Sequence, residues 1–311
     1  MKYFNDVFTL FQKSFSCIRA KIVKSQKFLF FWLSSLIVVT GCDRLGKLPY
    51  SPKTAPDAWL HSHPHVNISL GSLEFILMEP TSTFFVYLWG LLAVAVGCYF
   101  LRIREKHTSR LWWGIGLILW GVGALIAGVD HQAFTYQIKC FGREFCSYSS
   151  WWSIWFNVIT SAGLNAIIIG VSHSSAKGTL KRALIIYAVA NTAVYLVICL
   201  IGAFIPSRLM VSPNFMFLFS TPGFVFLFII NTIRYSKQRE KLDLLLMLTW
   251  LFLGVVMVAY TLYAAFGVAE KLWERGIWFT APDVLHIGEV FLGLYIAFAV
   301  AKKVKDLPEG S

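Results

Sequence analysis

Residues 80–101 read PTSTFFVYLWGLLAVAVGCYFL, and no charged side chain interrupts them. At about 1.5 Å per residue, a helix of this length crosses the roughly 30 Å hydrocarbon layer of a bilayer. Six further segments of similar character follow, near 111–129, 151–171, 183–205, 215–233, 244–266 and 283–301. The sequence therefore predicts an all-α membrane protein, with a seven-transmembrane-helix bundle over 80–301.

The composition agrees with a lipid environment. The chain of 311 residues is 57% hydrophobic and only 14% charged, which is more apolar surface than a soluble protein of this size can bury. A net charge of +12 would suggest nucleic-acid binding in a soluble protein, but the basic residues here cluster between the apolar segments. We therefore expect membrane lipids as partners and no nucleic acid.

Basic residues in the loops predict the orientation. They concentrate after the first, third, fifth and seventh segments, at Arg102, Arg104, Lys106, Arg110, Lys177, Lys181, Arg182, Arg234, Lys237, Arg239, Lys241, Lys302, Lys303 and Lys305. The alternate loops hold fewer, namely Lys139, Arg143, Arg208, Lys271 and Arg275. By the positive-inside rule, the mature N-terminus lies outside, and the tail 302–311 is cytoplasmic.

Residues 1–42 are typical of a bacterial export signal. Basic residues at positions 21, 24 and 27 precede the apolar run 28–39, which is too short to span comfortably. Val39-Thr40-Gly41-Cys42 resembles a lipobox, in which Cys42 would be lipidated and become the new N-terminus. Cleavage without a lipid and an uncleaved eighth helix are the alternatives. We expect a multi-pass protein of the bacterial inner (cytoplasmic) membrane.

The segment 43–79 is predicted to be a mostly irregular periplasmic cover over the bundle, because it is polar and contains four prolines. Within it, His61, His63 and His65 alternate. Alternate residues of an extended chain share a face, so these imidazoles could meet one metal ion. A solvated, pH-sensitive loop is the other interpretation.

Two cysteines lie close together in the second outer loop. Cys140 and Cys146 would face an oxidising compartment, so a disulfide that closes the loop is expected. Two free thiols are the alternative.

Ionisable residues in or beside the predicted spans are the main functional candidates, because an unpaired charge in a membrane is costly. They are Glu79, Asp130, His131, Asp283, His286 and Glu289, all at the predicted outer side. Steps of three residues turn a helix by about 60°, so the last three share one face. Histidines with carboxylates suit Zn²⁺. A buried hydrogen-bond cluster between the second and seventh helices is the alternative, and proton or ion movement is a third.

Two short motifs resemble the CREST superfamily of seven-helix membrane hydrolases and receptors, which includes alkaline ceramidases and progestin/adipoQ receptors. In that family the second helix carries Ser-x-x-x-His and the seventh His-x-x-x-His, and the histidines hold a zinc ion that activates water against a lipid amide. Ala127-Gly-Val-Asp-His131 is similar to the first motif, with Ala127 in place of the serine. The stretch before His286 is similar to the second, with Pro282 in place of the leading histidine.

The resemblance implies a metal-dependent hydrolase that acts on a lipid or lipid-like amide or ester at the outer face of the membrane. His131 and His286 would be zinc ligands, with Asp283 or Glu289 as a third. Asp130 and Glu289 are the expected catalytic carboxylates, and Glu79 is a further pocket residue. The alternative is a non-enzymatic sensor, receptor or assembly factor with a polar ligand pocket. A transporter is less favoured, because the sequence has no obvious internal repeat.

Overall fold

The computed structural model describes residues 44–71 and 73–308, so the predicted signal and the Cys42 lipidation site lie outside the described residues. In chain order the elements are α1 (Pro56–His61), β1 (His65–Leu70), β2 (Leu73–Met78), α2 (Pro80–Arg102), α3 (Thr108–Ala127), α4 (Thr135–Lys139), α5 (Trp151–Ser175), α6 (Gly178–Phe204), α7 (Arg208–Val211), α8 (Pro213–Gln238), α9 (Lys241–Ala265), α10 (Val268–Trp273) and α11 (Ala281–Tyr295). α3 continues as a π-helical turn over Gly128–Ala133, and α11 continues likewise over Ile296–Val300.

Seven helices in the described part of the chain are long and apolar enough to cross a membrane: α2, α3, α5, α6, α8, α9 and α11. Each coincides with one predicted segment to within a few residues, so the prediction of an all-α, seven-helix protein is confirmed. Proline stands in the first turn of α2, α8 and α11, at Pro80, Pro213 and Pro282. Its missing N–H is harmless there, because the first turn has no intrahelical acceptor for it.

The centre of the bundle is a close contact of α3 with α2 on one side and α5 on the other. A Cβ added to Gly97 of α2 would lie 2.7 Å from the carbonyl oxygen of Gly114 in α3. On the opposite face of α3, a Cβ on Gly116 would lie 2.8 Å from the carbonyl oxygen of Gly163 in α5. Small residues at these crossings let the helix backbones touch, which is how packing replaces the hydrophobic effect in lipid. The helices α2, α3 and α5 therefore form one tightly packed layer.

The cover over the bundle is more regular than the sequence predicts. The prediction of a mostly irregular segment 43–79 is wrong in part, because it contains α1 and an antiparallel hairpin in which His65 pairs with Met78. The hairpin leads directly into α2, and the Glu79 N–H donates to the Pro64 carbonyl at 2.8 Å. The cover is thus continuous with the first spanning helix.

A disulfide joins Cys140 and Cys146 in the loop after α4. The Cys146 N–H donates to the Thr54 carbonyl at 3.0 Å, and the Ser147 N–H donates to the Lys139 carbonyl at 2.8 Å. These bonds attach the loop both to the cover and to the end of α4. The loop therefore holds Lys139, a residue of the site described below.

We call the end of the bundle at which α2, α5 and α8 finish the basic end, and the opposite end the cavity end. At the basic end, Arg110 donates to the carbonyl of Val304 at 2.7 Å. The Asp306 carboxylate accepts from the N–H groups of Thr108 and Ser109, at 2.7 Å each. These N–H groups open α3 and have no intrahelical acceptor, so the C-terminal segment supplies the missing cap.

Candidate functional site

A cavity of about 220 Å³ lies at the cavity end of the bundle. Its polar lining consists of Glu79, His131, Gln132, Thr160, His286 and Glu289. Its aromatic lining consists of Trp89, Trp120, Phe156, Phe217 and Tyr260. Four of the six ionisable candidates from the sequence line this cavity, whereas Asp130 and Asp283 do not.

Asp130 lies in the π-helical turn that ends α3 and is completely buried. Its carboxylate lies 3.0 Å from the ammonium of Lys139, which is also completely buried, and it accepts short hydrogen bonds from the hydroxyls of Ser150 and Ser153. Burial alone would lower the pKa of Lys139, but the Asp130 carboxylate raises it above its ordinary value. The Asp130 carboxylate is therefore fully occupied by its ion pair and hydrogen bonds. It is not free to act as a general base.

This ion pair is not predicted from the sequence, in which Lys139 resembles one of the sparse basic residues of an outer loop. The structure places the side chain inside the bundle instead. Ser150 caps the N-terminus of α5 and forms a capping box with Ser153. The run Ser149-Ser150 before the apolar segment is a recognisable N-cap signal, but nothing in it indicates an aspartate partner in α3.

His131 is held by the same ion pair. Its Nδ1 lies 3.3 Å from the Lys139 ammonium, and its Nε2 lies 3.3 Å from an Asp130 oxygen, within ion-pair range but without hydrogen-bond geometry. An ammonium can only donate, so Nδ1 accepts, and the proton of a neutral ring is then on Nε2. In this arrangement the imidazole faces the cavity without a free lone pair for a metal ion.

Asp283 acts as a helix cap. It is the third residue of α11 and accepts from both the N–H and the hydroxyl of Thr280, and the Thr81 hydroxyl donates to it at 3.2 Å. The arrangement is a capping box, which satisfies backbone donors that have no intrahelical acceptor. Its other oxygen, Oδ1, is buried and has no hydrogen-bond partner among the described residues.

His286 and Glu289 form the pair that the three-residue spacing predicts. The distance between His286 Nδ1 and Glu289 Oε2 is 2.9 Å, and both side chains are buried against the cavity. The bond fixes the orientation of the imidazole. It leaves His286 Nε2 as the ring nitrogen available to a ligand.

Glu79 stands between β2 and α2 at the margin of the cavity. Its backbone has φ 40° and ψ 65°, the left-handed region. Its Oε2 atom is buried and has no hydrogen-bond partner in the described part of the protein. Burial, followed by repulsion from the nearby Asp283 carboxylate, raises the pKa of Glu79 to about 8.

The zinc site implied by the family resemblance fits these residues poorly. No group of three or more His, Cys, Asp or Glu side chains within residues 44–71 and 73–308 is placed to hold a metal ion. Asp130 and His131 are bound to Lys139, and Asp283 caps α11. Only His286 and Glu289 keep the character of ligands, so the zinc assignment stays a prediction.

The three alternating histidines of the cover do not share one extended face. His61 ends α1, His63 lies in the following turn, and His65 begins β1. His63 stacks on Trp59 with ring centroids 4.1 Å apart, and its Nδ1 lies 2.8 Å from the Trp59 carbonyl oxygen. The metal interpretation for this run lacks the extended geometry on which it depended.

Residues that the sequence analysis did not select complete the cavity. Gln132 and Thr160 are buried, and neither Gln132 Oε1 nor Thr160 Oγ1 has a hydrogen-bond partner in the described residues. The indole N–H of Trp89 is likewise without one. Because uncharged polar residues are common in membrane helices, their sequence positions alone gave no signal.

Comparison with known proteins yields no match: no family model, no curated protein and no solved structure is significantly similar to this chain.

Proposed function

We propose that the protein is a ligand-binding membrane protein of the sensor, receptor or assembly-factor class, and that the cavity is its binding site. The observation that carries the proposal is a set of buried polar atoms around one cavity, on Glu79, Gln132, Thr160 and Trp89, that have no partner among the described residues. A buried donor or acceptor without a partner costs about 1–3 kcal/mol. Several in one place are explained most simply by a ligand that supplies their partners.

The lining suggests a small amphiphile. Aromatic rings at Trp89, Trp120 and Phe217 offer apolar and π surfaces, while the polar atoms gather toward Glu79 and the His286–Glu289 pair. Binding pockets are usually mostly apolar, with a few polar groups that fix the orientation of the ligand. A molecule with a short hydrocarbon part and one polar group matches this division.

A panel of hexylammonium, 1-hexanol and hexanoate tests the proposal. At least one member should raise the unfolding temperature of the detergent-solubilised protein, because a ligand stabilises the state that binds it. Ala124→Phe, which fills the cavity, should remove the effect, and Ala127→Leu is a milder block if the first variant does not fold. Val255→Phe, on an exposed part of α9, is the matched control and should respond as the wild type does. If no compound stabilises the wild type, or if the blocked variant responds equally, the proposal is wrong.

The metal-dependent hydrolase is a second candidate, favoured by one observation: His131, His286 and Glu289 line the same cavity. Metal analysis distinguishes it from the first. A hydrolase of this kind should contain stoichiometric zinc that is lost in His286→Ala and kept in His61→Ala, since His61 lies outside the cavity. Metal-free protein, or equal metal content in both variants, would favour the ligand-binding function.

We also infer that the protein lies in the bacterial inner membrane, with the basic end in the cytoplasm. The inference is supported by the basic residues around the ends of α2, α5 and α8 and by the disulfide at the opposite end. Fusion of alkaline phosphatase to the C-terminus should give an inactive enzyme, because that enzyme needs an oxidising compartment. An active fusion would reverse the orientation.

A further inference from the structure

The backbone at Glu79 is unfavourable for a side chain of its kind. It is one of three non-glycine residues with positive φ in the described chain, beside Glu105 and Arg239. It also precedes Pro80, and proline restricts the conformation of the residue before it. Bonds on both sides hold the turn, since the Glu79 N–H donates to the Pro64 carbonyl and its own carbonyl accepts from the Thr83 N–H, at 2.8 Å each.

A glycine could make this turn at lower energetic cost, because it has no Cβ to clash in the left-handed region. The glutamate side chain is therefore not needed for the turn itself. What the turn does is hold the carboxyl group at the cavity, where Oε2 is buried without a partner. Backbone strain of this kind is concentrated at functional sites.

No Lys or Arg among the described lining residues balances the carboxylates of the cavity. Asp283 adds a second carboxylate that repels that of Glu79, and Glu289 is paired with His286. The buried Lys139 ammonium is already bound to Asp130. A positively charged group inside the cavity would supply the missing partner of Glu79 Oε2.

Two further features favour a cation that also donates hydrogen bonds. The unpartnered Gln132 Oε1 atom is an acceptor, as is the Glu79 carboxylate. The faces of Trp89, Trp120 and Tyr260 are negative at their centres and attract cations. A protonated amine satisfies both features, whereas an alcohol carries no charge and a carboxylate would be repelled.

We propose that Glu79 determines the specificity of the cavity, and that the ligand presents a protonated primary amine to its carboxylate. The proposal rests on the proposed function, because it requires that the cavity bind an amphiphile. It goes further by assigning the charge of the ligand and the residue that selects it.

The same three six-carbon compounds test this proposal, because they differ only in the polar group. At about pH 9, where Glu79 is ionised and a primary alkylamine is still protonated, hexylammonium should bind the wild type about tenfold more tightly than 1-hexanol, as expected for one charge-assisted hydrogen bond. Hexanoate should bind more weakly than both. Affinities come from the dependence of the unfolding temperature on compound concentration, and from the change in total tryptophan fluorescence, to which Trp89 and Trp120 of the cavity contribute.

Variants separate the carboxylate from the turn. Glu79→Gln should lose the preference for hexylammonium and keep the affinity for 1-hexanol. Glu79→Gly should lose the same preference while its unfolding temperature rises, because the strain is relieved. Arg239→Gly is the matched control: it removes a positive-φ side chain at the other end of the molecule, so it should keep the wild-type preference.

The outcomes distinguish the two proposals. Equal affinity of the wild type for hexylammonium and 1-hexanol, or an unchanged preference in Glu79→Gln, would overturn the role of Glu79 and leave the ligand-binding function in place. Failure of all three compounds to bind would overturn the proposed function itself.

Discussion

The network around Asp243 at the basic end and the lining of the cavity differ in how their buried polar groups are satisfied. At the basic end, Arg234 donates to both oxygens of Asp243, at 3.0 and 3.1 Å. Asn231 donates to Asp243 and Ser175 and accepts from the Trp250 indole, so the network is closed. At the cavity end, by contrast, buried polar atoms of residues that line the cavity, such as Glu79 Oε2 and Gln132 Oε1, have no hydrogen-bond partner among the described residues. A closed network indicates a structural role and an open one a binding role, although the sequence shows only polar residues in apolar helices in both cases.

The Asp130–Lys139 pair shows that position alone does not decide the role. It lies at the cavity end, yet it is as completely bonded as the network of Asp243. His131 touches both the pair and the cavity. The pair therefore supports the wall of the cavity, and its loss should affect stability first.

The largest expected effect is that of Lys139→Ala. Removal of one partner of a buried ion pair leaves an uncompensated charge and costs about 3–5 kcal/mol. The double variant Asp130→Asn/Lys139→Met should recover most of the loss, because no buried charge remains. Denaturant unfolding followed by helical circular dichroism measures both. Equal loss in the single and double variants would show that the pair is not a closed unit.

The second prediction concerns the stability of the closed network around Asp243 at the basic end. Asn231→Leu should lower the free energy of unfolding by about 1–3 kcal/mol, because Asp243, Ser175 and the Trp250 indole lose partners. Binding of the hexyl compounds should not change, since the network is far from the cavity end. A change in affinity with unchanged stability would contradict the division between the two ends.

A substitution of a lining residue of the cavity should affect stability in the opposite direction. Thr160→Val replaces an unpartnered buried hydroxyl with a methyl group of similar size, so it should leave stability unchanged or raise it by about 1 kcal/mol. Ligand affinity should fall if the hydroxyl contacts the ligand. A destabilisation as large as that of Asn231→Leu would mean that Thr160 belongs to a closed network after all.

A further expected effect concerns pH. The pKa of Glu79 is raised from 4.5 to about 8 in the folded protein, so the folded state binds a proton more tightly than the unfolded chain. This contribution to stability is present below about pH 4.5 and is lost as the pH rises toward 8. The unfolding temperature of the wild type should therefore fall between pH 5 and 8 by more than that of Glu79→Gln. Parallel pH profiles for the two proteins would contradict the raised pKa.

Hydropathy was sufficient to find the seven spans, because crossing lipid is a property of each segment alone. The rule that ionisable residues in membranes are functional candidates also found Glu79, His131, His286 and Glu289 at the cavity. It could not separate them from Asp130 and Asp283, whose partners are supplied by α4, by the start of α5 and by the loop before α11. The partners of Asp130 lie in other elements, so only the fold brings them together, whereas Thr280 lies three residues before Asp283 in a capping-box spacing that the sequence already contained.

The β1–β2 hairpin shows a second limit of prediction from the sequence. Prolines between 49 and 64 suggested irregular chain, but residues 65–70 and 73–78 pair as strands on either side of Gly71. Glycine supplies the positive φ that the turn needs, and this signal was present in the sequence.

The glycine contacts of α3 with α2 and α5 bear on how a molecule could reach the cavity. The backbones of α2, α3 and α5 are in direct contact, so separating these helices would break every contact along the crossings. That side of the cavity is therefore rigid. α8 is different: it is little enclosed by its neighbours, and Pro222 interrupts its hydrogen-bond ladder halfway along. Outward bending of α8 would therefore open the cavity toward the lipid at a lower cost in backbone contacts than any movement of α2, α3 or α5.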